Sequence, residues 1–450
     1  MFTFLALLLL FILLGVSLGI LTGLIPGLHV NTVAILLLTA TPALLALLTP
    51  LSSLGVDPLL IPVLVAATVV AVSITHTFLD FIPSTYLGAP EEETALSVLP
   101  AHSLLLEGKG YRAVYLSALG SMGAIFFSVA LLLPYRFLFG SPGNLYYVLK
   151  ENLGMVVLSV AILLIITERS RVPYPLPWDR EVKERTFSRT LGVLTALSLF
   201  LLSGAFGYAI FRLPSSSPLS LPSSVLFPAL SGLFGVSTLL ESIRSNPTIP
   251  PQSENPGEVQ WGRTAVSQFS GGLAGSIVGF LPGMSSGVAT VLAMLFRKDS
   301  DREQTIVTLS AINTANSMFV LAALFLILRP RSGAAIVVNN LVTVEHWDGV
   351  LPPGTMSYLM ISAVISSSLA YFLTLFIGKR AARYVSRVDY GKLVLSIIVF
   401  IVIMVILFNG ATGLLILAVG TAIGLLPIRL GVRRSHLMGV IMLPVLLYIW

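Results

Sequence analysis

Few residues in this sequence can do chemistry, and most of them stand inside apolar runs. His76 and Asp80 are spaced i,i+4 and share one helix face. An ionisable pair within an apolar span is costly. It reads as a proton or cation relay, or as a neutralised pair tying helices together. In the second half, Asn313, Thr314, Asn316 and Ser317 form the equivalent patch. Side-chain oxygens beside an unwound backbone suit a hard cation such as sodium; the same groups serve as interhelical hydrogen bonds. His76, Asp80, Asn313, Asn316 and Ser317 are therefore the expected coupling-ion residues, with Na+ or H+ as the ion and no cofactor. Arg329 and Arg331 would attract and grip an anion at an outer vestibule.

Two short stretches must position these groups. The first is Gly19 to Thr32, where Gly23, Pro26 and Gly27 interrupt an apolar run. Proline removes a backbone donor and glycine relaxes the backbone, so the helix should break there. Such a break is tolerated in lipid only where protein or a watery cavity covers the freed groups. The helix that restarts beyond it presents free N–H groups and a positive dipole end, suited to an anion. Gly27, His29, Asn31 and Thr32 lie at that end. The second stretch repeats the G-x-x-x-G-x-x-P-G spacing through Gly275, Gly279, Pro282 and Gly283, followed by Ser285, Ser286 and Thr290. Broken apolar segments at matching places in two halves point to a transporter's binding site. The hydroxyls there can bind substrate oxygens or cap a helix. A lone G-x-x-x-G would be only a packing motif.

Hydrophobic residues are 56% of the chain and charged residues 10%, which makes it a polytopic membrane protein. The net charge of +6 belongs to basic loops on one membrane face, not to nucleic-acid binding. With no cysteine, disulfides, thiolate metal sites and thiol nucleophiles are excluded. H-E-x-x-H and G-x-S-x-G are absent and the histidines are scattered, so an intramembrane enzyme is not expected. The apolar N-terminus lacks a basic n-region and a cleavage site and reads as mature structure.

The expected fold is an all-α polytopic membrane protein of two inverted-topology repeats. It should have about ten spans plus Pro-Gly-broken and re-entrant helices. Residues 1–241 form the first repeat, 242–263 a Pro-, Ser- and Asn-rich linker loop, and 264–450 the second repeat. Pro83 to His102, with Glu91, Glu92 and Glu93, reads as a re-entrant segment, and its stretch Ala89 to Val98 aligns with Arg329 to Val338. On that alignment Asn316 falls opposite His76. Pro427 with Gly431 is matched to Pro228 with Gly232. Placing both termini outside leaves only Arg136, Lys150, Arg212, Arg329 and Arg331 outside, of 26 Lys and Arg, as the positive-inside rule asks.

The twin Pro-Gly stretches resemble those of the large permease subunit of tripartite tricarboxylate transporters, the TctA family. So do Gly108 to Ala113, Phe227 to Gly235 and the Gly424 to Gly439 segment with Arg433, Arg434 and His436. The resemblance implies cation-coupled import of tricarboxylates such as citrate across the cytoplasmic membrane. It also implies a small membrane subunit and an extracellular solute-binding protein as partners. The Pro-Gly repeats are similar, too, to those of polyprenyl-phosphate translocases, whose substrate is an anionic lipid. The substrate is thus expected to be a small organic anion of the tri- or dicarboxylate kind, with an anionic lipid as the alternative. Oligomeric state is left open, a homo-oligomer included.

Overall fold

The computed structural model describes residues 2–26, 28, 30–89, 94–168, 189–214, 217–218, 224–244, 249–281, 286, 289–290, 293, 301–387 and 389–449. Among them every regular element is helical. Helix α1 (Phe2–Leu24) is apolar throughout and stops just before Pro26, where the chain turns. Helix α2 (Val30–Leu48) then runs through Pro42. Helix α3 (Ile61–Leu79) reaches Asp80 and is followed at once by α4 (Phe81–Tyr86). Pro83 therefore sits in the first turn of a helix, where a missing N–H costs nothing. Helix α5 (Val98–Leu106) is too short to cross a bilayer and is almost wholly buried. Protein rather than lipid surrounds it, as polar backbone at membrane depth requires.

Next come α6 (Gly110–Phe139), α7 (Leu145–Glu151), α8 (Leu153–Ile166) and α9 (Arg189–Ile210). Helix α10 (Leu226–Leu230) passes through a π turn at Ser231–Val236 into α11 (Ser237–Arg244). The second half holds α12 (Trp261–Phe280), α13 (Arg302–Leu326), α14 (Gly333–Leu341), α15 (Gly354–Val385), α16 (Tyr390–Leu430) and α17 (Gly439–Ile449). Three of these start on side-chain caps: Asp301 accepts from Gln304 N, Ser332 from Ala335 N and Asp389 from Lys392 N.

Seven described helices are long and apolar enough to cross a membrane, or eight if the pair α7–α8, bent by 68°, is one span. The expectation of about ten counted differently at α16. At 41 residues it is about 60 Å long, twice a bilayer's hydrocarbon core. It breaks at Gly410, whose φ of 60° and ψ of −152° no helix contains. Ser217 Oγ donates to the carbonyl of Leu407 at 2.9 Å, and Asn409 Nδ2 donates to the carbonyl of Ser224 at 3.1 Å. The hydroxyl thus takes up an acceptor that the interrupted helix leaves over.

Close glycine contacts fix how α1 lies on α3. A Cβ added at Gly15 would sit 2.6 Å from Ala71 Cβ, at Gly19 2.5 Å from Thr75 Cβ, and at Gly23 2.7 Å from Leu79 Cβ. Helix α12 lies on α13 in the same way, with Gly271 against Thr308 and Ala311, Gly275 against Ile312 and Ala315, and Gly279 against Phe319. In each pair only glycine lets the backbones meet. Helix α6 then packs on α13 and α15 on α3, where Ser362 Oγ donates to the carbonyl of Ala67 at 2.9 Å. These helices form one body. A second body comprises α8 to α11, α16 and α17. In it Gly232 meets the Leu417 carbonyl and Gly439 meets the Phe200 carbonyl.

The loop that leads into α12 is not loose. Gln252 Nε2 donates to the Leu105 carbonyl at 2.9 Å and its Oε1 accepts from Gly110 N at 2.8 Å. Glu254 takes both Nε and Nη2 of Arg383, which holds its carboxyl down at about 2. Arg112 makes the same two-pronged bond to Glu303, and Arg302 pairs with Glu107. Residues 249–260 therefore form a strap across the ends of α5, α6 and α15.

Candidate functional site

Between the two bodies lies a cavity of about 380 Å³. Its wall is apolar over most of its area, with Val70, Ile74, Val278, Val320, Leu321 and Val338 from the first body. Phe211, Leu226, Ile441 and Val445 close it from the second body. A small set of polar groups converges on it: Ser73, His76 and Thr77 of α3, Asn313, Asn316 and Ser317 of α13, Ser286, and Arg331 with Ser332. An apolar chamber with a few placed polar groups is the general form of a small-molecule site.

Described residues beside both Pro-Gly pairs line this chamber. Val30, the first residue after the first break, and Leu281, the last before the second, both line it, as does Ser286 beyond the second. Gly27, His29, Pro282, Gly283 and Ser285 lie outside the described residues, as do the side chains of Asn31 and Thr32. Thr290 is buried and donates to the Ser286 carbonyl at 3.0 Å rather than facing the chamber. Gly23 and Gly279 act as packing residues that seat α1 and α12 up to the point where each chain breaks.

The coupling-ion candidates come together, but not all on one surface. His76 is 3% exposed and lines the cavity. Asp80 is 2% exposed and lies behind the wall, where Asn313 Nδ2 donates to its Oδ2 at 2.9 Å. Asn313 thus touches both the chamber and the buried carboxylate. Asn316 and Ser317 line the chamber as expected. Thr77 and Thr314 meet hydroxyl to hydroxyl at 3.1 Å where α3 crosses α13. The sequence could not show this, since it depends on the crossing of segments far apart in the chain.

The arginine pair divides. Arg329 is exposed and is not on the wall, whereas Arg331 is. The guanidinium of Arg331 lies 5.2 Å from the ring centre of Tyr146, a residue of α7 that is 5% exposed. Nε and Nη2 of Arg331 are buried without a hydrogen-bond partner among the described residues. The sequence carries no signal for Tyr146; Ser332 was legible only as a helix cap. Off the chamber wall, Glu168 is enclosed by Arg433 and His436, residues of the segment that carries the family resemblance. Burial raises the Glu168 carboxyl, and the hydrogen bond from His436 with Arg433 nearby outweighs it and lowers the group.

Comparison with known proteins gives one family. Residues 9–439 match the tripartite tricarboxylate transporter TctA family. An uncharacterized protein of Methanocaldococcus jannaschii is 28% identical over 381 residues, covering 83% of this chain and 86% of the relative. No solved structure matches the chain.

Proposed function

Because the chain belongs to the tripartite tricarboxylate transporter TctA family, a family of transporter permeases and not of enzymes, we propose that it carries an organic anion through the cytoplasmic membrane by alternating access. The chain is a multi-pass membrane protein, and its family works in tripartite systems with a small membrane subunit and a solute-binding protein. We take both as its partners. The single observation that supports the reading most is the chamber itself. Residues next to both Pro-Gly pairs, the ionisable His76 and Arg331 share one wall.

Two further observations support two inverted repeats, 1–241 and 264–450, joined by 242–263. First, the glycine contacts of α1 on α3 and of α12 on α13 run in the same register: Ala71 answers to Ala311, Thr75 to Ala315 and Leu79 to Phe319. Asn316 then answers to His76. The second body adjusts the alignment. Gly232 on the Leu417 carbonyl answers to Gly439 on the Phe200 carbonyl, so Gly439 rather than Gly431 is the better counterpart of Gly232. Second, counterpart contacts differ between the two faces. On the face of the basic loops, Ala95 packs in one apolar cluster with Leu230 and Leu233 of the second body. On the opposite face the corresponding elements, α14 and α17, stand on opposite sides of the chamber. One gate closed and its counterpart open is what a transporter facing one side requires. In this reading Asp80, with His76 and Asn313, couples cargo movement to a gradient of H+ or Na+.

The test is uptake into liposomes containing purified protein together with its small membrane subunit, the solute-binding protein supplied outside, with radiolabelled citrate, succinate and 4-methylpentanoate under a sodium or proton gradient. Accumulation of at least one of them above protein-free vesicles is expected. Absence of uptake of all three under either gradient, with correctly inserted protein, overturns the proposal.

A further inference from the structure

We infer that the end of α15 beside the loop at 249–260 holds an anionic phospholipid, its phosphate gripped by Arg380 and Arg387. Phe372, Phe376, Arg380, Tyr384 and, in the turn that closes α15, Arg387 follow one another at helical spacing and are all exposed. None of them lines the chamber. The three rings are 68%, 54% and 59% exposed. Exposed apolar side chains run along α15 from Ile361 to Phe376, about 22 Å of helix axis, which sets Phe372 and Phe376 against acyl chains. Arg380 comes one turn later, about 6 Å on, where hydrocarbon gives way to headgroups.

The two arginines are held in a way that an ordinary basic loop does not require. The guanidinium of Arg380 lies 4.2 Å from the ring centre of Phe376, and that of Arg387 lies 5.4 Å from the ring centre of Tyr384. Stacking on a ring holds a guanidinium by its face and leaves its N–H edges available. Arg387 N also donates to the Tyr384 carbonyl at 3.0 Å, which ties the turn to the helix. Phe372 is braced edge-on by Tyr371, with ring centres 5.4 Å apart. The neighbouring cations are engaged: Lys379 and Arg383 both pair with Glu254 of the loop, at 3.6 and 2.8 Å. Among the described residues no carboxylate pairs with Arg380 or Arg387. Two forks on one face, with rings leading from them into hydrocarbon, match a phosphate diester of net negative charge that carries acyl chains. The positive-inside bias asks only for charge at this end of α15. It does not ask for arginines seated on rings in line with exposed phenylalanines.

The experiment is native mass spectrometry of the purified full-length protein in detergent, given equal amounts of palmitoyl-oleoyl phosphatidylglycerol and palmitoyl-oleoyl phosphatidylcholine. The two lipids share their acyl chains and differ in net charge. The protein should retain more phosphatidylglycerol than phosphatidylcholine. Arg380→Gln with Arg387→Gln should lower phosphatidylglycerol occupancy about tenfold, the usual worth of a charge-assisted bond, and leave phosphatidylcholine unchanged. Lys109→Gln with Arg429→Gln removes the same formal charge at other exposed positions and should preserve the preference. An equal loss in that second variant, or an unchanged preference in the first, overturns the inference. So does displacement of the lipid by soluble glycerol 3-phosphate at the lipid's own concentration, which would make this a site for free phosphate. None of these outcomes bears on anion transport, which rests on the chamber.

Discussion

At the scale of single residues the informative group is Asp80, a carboxylate 2% exposed and joined to the chamber through Asn313. Keeping such a group at membrane depth is expensive, and its placement makes sense if its protonation or ion occupancy is sensed by the cargo site. Asp80→Asn retains the size and an acceptor for Asn313 and removes the charge. We expect it to abolish gradient-driven accumulation while leaving cargo exchange across the membrane. Paired measurements of gradient uptake and counterflow in the same liposomes decide this, and gradient uptake at the wild-type rate would take Asp80 out of the coupling step. The i,i+4 spacing of His76 and Asp80 was legible in the sequence. That His76 faces the chamber while Asp80 faces Asn313 was not, because a helix alone does not say which neighbour lies on which side.

Among elements, the broken pairs α1–α3 and α12–α13 carry the most information. The G-x-x-x-G spacing was readable as a place of close approach, and the contacts at Gly19 and Gly275 agree with it. Leucine at either position would drive side-chain carbon into Thr75 or into the Ile312 carbonyl. Overpacking of this kind costs about 1–3 kcal/mol or more, since a backbone shift is needed to relieve it. Gly19→Leu and Gly275→Leu should each lower the unfolding temperature of the purified protein by several degrees, measured by differential scanning fluorimetry in detergent. An unchanged transition would mean that these helix pairs are not held as described. Other elements were hidden for physical reasons. Nothing in the sequence of α16 marked Gly410 as a break among so many glycines; only its backbone angles and the capping by Ser217 do so. The loop at 249–260 looked like a linker by composition, yet ion pairs and Gln252 pin it to three helix ends.

At the scale of the whole molecule, two groups of helices enclose one chamber, and Ala95 of one shares an apolar cluster with Leu230 and Leu233 of the other. Transport by alternating access then requires the cluster containing Ala95 and Leu233 to part while Ala335 approaches Ile441. The chain has no cysteine, so paired substitutions report without background. Ala95→Cys with Leu233→Cys should cross-link in protein at rest, and the link should stop transport. Ala335→Cys with Ile441→Cys should cross-link only when cargo and an ion gradient are both present. Full transport by the first pair while cross-linked would refute a two-body exchange.

The sequence by itself determined that this is a helical membrane protein with two related interruptions and a biased distribution of basic loops. Those properties follow from local hydropathy, from proline and glycine chemistry and from charge, all of which act along the chain. It also carried the family, through an ordered set of motifs. Only the tertiary structure decided that residues beside the two interruptions border one chamber, that Arg331 and not Arg329 lines it, and that the Tyr146 ring lies against the guanidinium. Those facts arise where helices distant in sequence cross, and the crossing is set by which small residues let two backbones meet.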